Sequence, residues 1–230
     1  MLSSRSLARR LLRGIRPAVL GPLRFAVDAG HLRSALLGQA VDRGGQPLLW
    51  VTYPAIEFLR QLDWRGKRVL EWGAGNSTLW WAQQGASVFS VEHSQEWIDT
   101  LERSIPTGAQ VQLRLARDAD AYVELPRSHG PFDLVVIDGE SRPRCAEVAV
   151  EVVAPSGGIL LDNSEQSWAA AGEGFPIIER LHALGWRRVD FHGFAPSVAR
   201  PHCTSLFFRP ETRLFDLATP PYRQPGIVPG

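Results

Sequence analysis

The chain has 230 residues, 44% hydrophobic and 21% charged, which suits one folded domain with a substantial core and a short extension. A formal net charge of +1 gives no broad basic field for nucleic acid. No apolar run approaches the roughly 18 residues that a membrane-crossing helix needs. The two cysteines, Cys145 and Cys203, stand far apart without a metal-like spacing. That usage points to a reducing compartment, and the cytoplasm is the expected location.

Residues 1–50 read as a basic extension and loop, 51–210 as the folded domain, and 211–230 as an irregular Pro/Gly-rich tail. The first 33 residues hold seven arginines (Arg5, Arg9, Arg10, Arg13, Arg16, Arg24, Arg33) and one acid, Asp28. Leu7, Leu11, Leu12 and Ile15 fall near helical spacing. Three readings stay open: a basic amphipathic helix on an anionic membrane surface, an Arg- and Ser-rich presequence, or a helix or tail lying against the domain. Residues 5–33 are therefore the expected place of any peripheral membrane contact. Gly38, Gly44, Gly45 and Pro47 mark 38–51 as a loop, and Pro54 opens a helix over 55–62. Trp50 or Tyr53 either touches a ligand there or anchors that helix.

The most informative stretch is 67–81, KRVLEWGAGNSTLWW. Val69 and Leu70 end in Glu71, the turn Gly73-Ala74-Gly75 follows, and Asn76, Ser77 and Thr78 lead into an apolar helix. This is strand, glycine loop, helix, with Asn76 or Ser77 expected as the cap. Such a loop brings backbone close to a nucleotide-like ligand at a helix N-terminus. A dinucleotide fingerprint would carry a third glycine where Thr78 stands.

A buried strand over 87–91 ends in Glu92, 17 residues past Gly75, where a carboxylate accepts from ribose hydroxyls. His93 follows, either stacking on a base or entering the helix that Ser94 caps, over 94–104. A strand over 111–115 precedes Asp118 and Ala119, with Asp118 also a natural cap. Residues 132–139, FDLVVIDG, form a nearly continuous apolar run that suits a central parallel strand, and Asp138 emerges at its carboxyl end. Glu140, Arg142 and Arg144 follow on a loop, where the arginine pair suits an anionic substrate group. A helix over 145–153 stops at Pro155-Ser156-Gly157-Gly158, and a short strand over 159–161 presents Asp162 and Asn163. After a small-residue stretch, 168–174, and a helix over 175–184, strands over 186–191 and 204–209 make a terminal hairpin. Its loop carries His192, Pro196, His202 and Cys203. His202-Cys203 invites a nucleophile or metal reading beside that of ordinary loop polar groups.

The spacing Glu71-x-Gly73-x-Gly75, with Glu92, Asp138 and the terminal hairpin, resembles the class I S-adenosylmethionine-dependent methyltransferase superfamily over 52–209. The segments WGAGNST, VVIDG, LDNSE and CTSLFFR look like a bacterial-type branch of it. The resemblance implies a doubly wound, Rossmann-like seven-stranded α/β sheet whose last strand inserts antiparallel beside the fifth. It implies S-adenosyl-L-methionine held by Glu71, Gly73, Ala74, Gly75, Asn76, Ser77, Glu92 and His93, with adenine near Asp118 and Ala119. It implies methyl transfer to a small-molecule acceptor, with Asp138 as the catalytic candidate. Asp138, Asp162 and Asn163 also resemble the divalent-ion ligands of catechol-type O-methyltransferases, which suit Mg²⁺; the rival reading is a plain polar cleft lip. No lysine lies near this point, since Lys67 precedes the first strand. An NAD-dependent oxidoreductase is the alternative enzyme, opposed by Thr78, by the hairpin and by the lack of a Tyr-x-x-x-Lys pair. A cofactor-binding module acting through a partner is the non-catalytic alternative. Neither the acceptor nor the oligomeric state is readable.

Overall fold

The computed structural model describes residues 14–165 and 174–215. Residues 1–13, with Leu7, Leu11 and Leu12 of the expected amphipathic pattern, the stretch 166–173 and the tail beyond 215 lie outside them. The described N-terminal part holds a π-helical turn, Arg16–Leu20, and two short α-helices, α1 (Gly21–Asp28) and α2 (His31–Leu37), that expose Leu23, Val27 and Leu36. Phe25 of α1 meets Tyr53 edge-on at 5.0 Å. Tyr53 is buried and opens α3 (Tyr53–Leu59), and burial pushes its hydroxyl up to about 12. Tyr53 is thus a packing anchor, while Trp50 is exposed. Among the described residues no helix is long and apolar enough to cross a membrane.

The domain is built on β1 (Arg68–Trp72), α4 (Asn76–Gln83), β2 (Ser87–Glu92), α5 (Gln95–Glu102), β3 (Val111–Leu115), α6 (Ala119–Glu124), β4 (Phe132–Ile137) and α7 (Arg142–Val152). It continues with β5 (Val153–Leu161), α8 (Gly174–Ala183), β6 (Arg187–Gly193) and β7 (His202–Phe208). The strands form one sheet in the order β3-β2-β1-β4-β5-β7-β6. The first five are parallel, and β7 enters antiparallel between β5 and β6.

Both faces of the sheet are covered, which is why its central strands are apolar throughout. Successive side chains point to opposite faces. Val69, Val88, Leu134, Val136, Leu160 and Leu206 pack with Ile56, Leu59, Trp80 and Trp81 on one side. Leu70, Trp72, Val91, Val135, Ile137 and Phe207 pack with Cys145, Val148, Ala149 and Leu181 on the other. Because β1 lies between β2 and β4, the connections leave its carboxyl end in opposite directions and open a crevice there.

Several boundaries differ from the sequence expectation, and the hairpin strands run to Gly193 and from His202, so that His192, His202 and Cys203 lie on strands and not in the loop. Helix α4 begins at Asn76 with extended Gly75 as its N-cap, so neither Asn76 nor Ser77 caps it. Helix α7 begins at Arg142, three residues early, because Pro143 fits a first helical turn, where its missing N–H has no partner to lose. Strand β5 is longer than its apolar end, running through Pro155, Gly157 and Gly158 with a register shift against β4. These glycines serve close packing there: a Cβ at Gly157 would lie 2.6 Å from the Asp133 carbonyl oxygen.

Candidate active site

The loop after β1 is fastened from below and from the side. Gly73, at φ +95, takes a conformation that suits glycine, and its N–H donates to the Val91 carbonyl at 2.9 Å. Gly139 stands opposite: a Cβ there would lie 2.1 Å from the Tyr122 hydroxyl and 2.9 Å from the Trp72 carbonyl oxygen. The crevice between β1 and β4 is thus walled by two glycines. A Cβ at Gly75 would meet nothing within 4 Å, so open space lies beside the turn. The first-turn N–H groups of α4 lack carbonyls one turn earlier and are left for a ligand or solvent.

Glu71 does not reach that space. Its carboxylate is 1% exposed and accepts from Trp81 Nε1 at 3.0 Å, Thr78 Oγ1 at 2.7 Å and Ser90 Oγ at 3.0 Å. Thr78 Oγ1 in turn accepts from the Gly75 N–H at 3.1 Å. Glu71 therefore supports the loop from within in this structure, where the expectation had it hold the cofactor directly. The cause is the ring of donors on α4 and β2 that turns the side chain inward. Burial raises its carboxyl to about 7, against the opposing pull of those hydrogen bonds.

Glu92 fastens the other side. Oε2 accepts from Ala74 N–H at 3.1 Å, while Oε1 accepts from the His93 and Ser94 N–H groups at 2.8 and 2.9 Å. His93 Nδ1 lies 3.0 Å from Oε1, with the ring half exposed. A carboxylate has about four acceptor positions, so Oε2 keeps room for one more donor. Asn76 Nδ2 donates to the Ala40 carbonyl at 2.8 Å, tying the leading segment to the loop. Ser77 is half-buried beside it. Asp118 caps α6, with Oδ1 accepting from Asp120 and Ala121 N–H at 3.0 Å each; both Asp118 and Ala119 are exposed.

At the ends of β4 and β5 the organising residue is Arg142. Its five N–H groups meet five acceptors. Nε donates to the Gly139 carbonyl at 3.0 Å. One terminal nitrogen donates to the Asp162 carbonyl at 2.8 Å and Asn163 Oδ1 at 3.1 Å. The other donates to the Asp138 carbonyl at 2.7 Å and Asp138 Oδ1 at 3.3 Å. Both arginines of the expected anion-holding pair have partners in this structure: Arg142 is committed to these acceptors, and Arg144 pairs with Asp120 at 2.7 Å.

The Mg²⁺ expectation finds no support in this arrangement: a guanidinium stands among Asp138, Asp162 and Asn163 and takes Asp138 Oδ1 and Asn163 Oδ1, two of the oxygens such an ion would use. Asp162 is 4% exposed and its Oδ1 accepts from Thr204 Oγ1 at 2.6 Å. Burial and the neighbouring Asp138 charge push Asp162 well above the usual carboxylate range. Two residues here, Ser141 and Asn163, hold positive φ of 53 and 52, which is strained backbone for the serine and more tolerable for the asparagine.

His202, at the start of β7, joins this group. Its Nδ1 lies 3.2 Å from Asn163 Nδ2 and 3.3 Å from Glu165 Oε1. Its Nε2 is buried without a hydrogen-bond partner. Glu165 also accepts from the Cys203 N–H at 2.8 Å. Sequence reasoning singled out His202 but missed Glu165, whose single signal is its place two residues after Asn163.

No protein-family model matches the sequence, and no curated protein matches it. Solved structures do. A cofactor-bound protein from MTB, Rv0187, aligns with a TM-score of 0.54 at 21% identity, covering 85% of this chain and 97% of its own. Precorrin-6y C5,15-methyltransferase from Geobacter metallireducens GS-15 aligns at 0.52 and 14% identity, covering 70% of this chain and 90% of its own. With the strand order and antiparallel β7, the fold is that of the class I S-adenosylmethionine-dependent methyltransferases.

Proposed function

We propose that this chain binds S-adenosyl-L-methionine in the crevice between the carboxyl ends of β1 and β4 and transfers its methyl group to an oxygen of a small molecule. The observation that carries the reading is the open turn at Gly75, next to an α4 N-terminus and fastened to Glu92. The residues present fit the group. Gly73, Ala74, Gly75, Asn76 and Ser77 line the methionine end, with the α4 N–H groups available to its carboxylate. The free position on Glu92 Oε2 takes a ribose hydroxyl, and His93, Asp118 and Ala119 border the base. When bound, the cofactor supplies an activated methyl on a sulfonium.

The chain's own task is alignment and proton handling. Asp138 stands at the crevice with Oδ1 held by Arg142, so its second oxygen is directed by a fixed neighbour. With the cofactor bound, Asp138 would accept the proton of the acceptor hydroxyl as that oxygen is methylated. His202, with an unpaired Nε2 and its Nδ1 beside Glu165, borders the acceptor side.

Titration of the purified protein with S-adenosylhomocysteine, with NAD⁺ as control, tests the cofactor. Saturable binding of the first alone, weakened by Glu92→Ala, supports the reading, and binding of NAD⁺ alone overturns it. Methyl transfer from labelled cofactor to a panel of hydroxylated acceptors then tests catalysis. Asp138→Asn is expected to remove turnover while leaving cofactor binding intact.

A further inference from the structure

Beside His202, the terminal hairpin carries a second cluster that the proposed reaction does not use. Among the described residues, the ligand atoms of Asp190, His192 and Cys203 lie within 4.8 Å of one another. Their convergence follows from strand geometry. His192 and Cys203 are register partners across β6 and β7, and Asp190 is two residues back on β6, opposite Ser205. Side chains two apart share a face, so all three project from the same side of the hairpin. Thr204 and His202 alternate with them and belong to the opposite face.

We infer that Asp190, His192 and Cys203 form a zinc site with water as the fourth ligand. Thiolate, imidazole and carboxylate form a mixed set suited to tetrahedral Zn²⁺. Cys203 Sγ lies 3.7 Å from His192 Nε2. Ligand atoms about 2.0–2.3 Å from a tetrahedral zinc stand roughly 3.5 Å apart, so this pair already spans one edge. Asp190 is oriented by neighbours that leave it available. Ser205 Oγ donates to Oδ1 at 2.5 Å and Arg188 Nε lies 3.0 Å from the same oxygen, which leaves Oδ2 for the ion. Ser205 is itself held by Ser164 at 2.6 Å, an outer layer of the kind that fixes ligand orientation. Binding forms a Zn–S bond as the Cys203 thiol proton leaves to solvent. The ion ties β6, the edge strand, to β7 through side chains as well as the backbone ladder.

The test uses the full chain stripped of metal by a chelator and titrated with Co²⁺ as a spectroscopic probe and Zn²⁺ by competition with a chromophoric chelator. One equivalent of Co²⁺ should give tetrahedral visible bands and a thiolate charge-transfer band. The thiolate band should vanish in Cys203→Ser and persist in Cys145→Ser, whose thiol lies buried in the core away from the hairpin. His192→Ala should weaken Zn²⁺ about 100-fold and Ser205→Ala roughly tenfold. Zn²⁺ should raise the thermal midpoint of the wild type and of Cys145→Ser but not of Cys203→Ser, with circular dichroism confirming that each variant is folded. Absence of a thiolate band, or a band that survives in folded Cys203→Ser, overturns the inference. So does unchanged Zn²⁺ affinity in His192→Ala.

Discussion

Arg142 holds Asp138 twice, through the main-chain carbonyl at 2.7 Å and through Oδ1 at 3.3 Å. With its bonds to Gly139, Asp162 and Asn163, one side chain ties the end of β4 to the end of β5. Arg142→Leu leaves these acceptors without their donor and removes the charge that restrains Asp138 and Asp162. Breaking such a charge-assisted set at a partly buried site is expected to cost about 2–4 kcal/mol, read from urea unfolding. Arg142→Lys restores the charge without the five-donor fork and should recover less than half of that loss.

The same guanidinium makes a prediction about metal dependence. Since it takes Asp138 Oδ1 and Asn163 Oδ1, two of the oxygens that a divalent ion would use, methyl transfer to any acceptor found for this chain should not rise on addition of Mg²⁺. Initial rates across a Mg²⁺ series give the check, and a saturable increase would show that Arg142 yields its place.

Glu71 makes stability depend on pH. Its carboxyl stands at about 7 in the folded chain against 4.5 as the ordinary value. Between these values the folded state holds more protons than the unfolded state, so stability falls as pH rises from 4.5 to about 7 and is level above. The full difference is on the order of 3 kcal/mol. Glu71→Gln keeps the shape; its carbonyl oxygen can accept from Trp81 while its amide donates to the Thr78 and Ser90 hydroxyls. Denaturation midpoints of this variant should lose that slope and exceed the wild type above pH 7.

Glu92→Gln should loosen the loop. The carboxylate accepts from three backbone N–H groups, and a glutamine that serves His93 and Ser94 turns its amide toward Ala74 N–H. One orphaned donor costs about 1–3 kcal/mol. Affinity for S-adenosylhomocysteine should fall roughly tenfold or more, measured by calorimetry, with little change in the unfolding of the core.

Gly139→Ala drives a methyl into the Tyr122 hydroxyl and the Trp72 carbonyl. The expected cost is about 2–3 kcal/mol. Tyr122→Phe removes the nearer of the two obstacles, so the double variant should be less destabilised than the sum of the singles. Additive energies in that cycle would show that the hydroxyl is not what excludes the methyl.

Much of the fold was legible because it is written in local periodicity. The apolar runs at 87–91 and 132–137 are the central strands, and the alternating segments near the end are the hairpin. Gly73 and Asp138 stand at strand ends, as their positions in the motifs required. Boundaries failed where a local signal had two meanings. Pro155, Gly157 and Gly158 read as a stop but lie within β5, because glycines also let neighbouring backbone and side chains approach.

The sequence by itself determined which residues form strands and turns, and hence that Glu71, Glu92, Asp138 and Asp162 arrive at one edge of a sheet. Only the tertiary structure decided which way each carboxylate faces. Glu71 turns inward because Trp81 and Ser90, 10 and 19 residues later, supply donors beneath the loop. Asp138 and Asn163 share a cation because Arg142 spans two strand ends, and His192 meets Cys203 because β6 and β7 pair in that register. Backbone conformation follows from neighbours along the chain. The partner of a buried polar group is set by the order and register of strands, which no local pattern specifies.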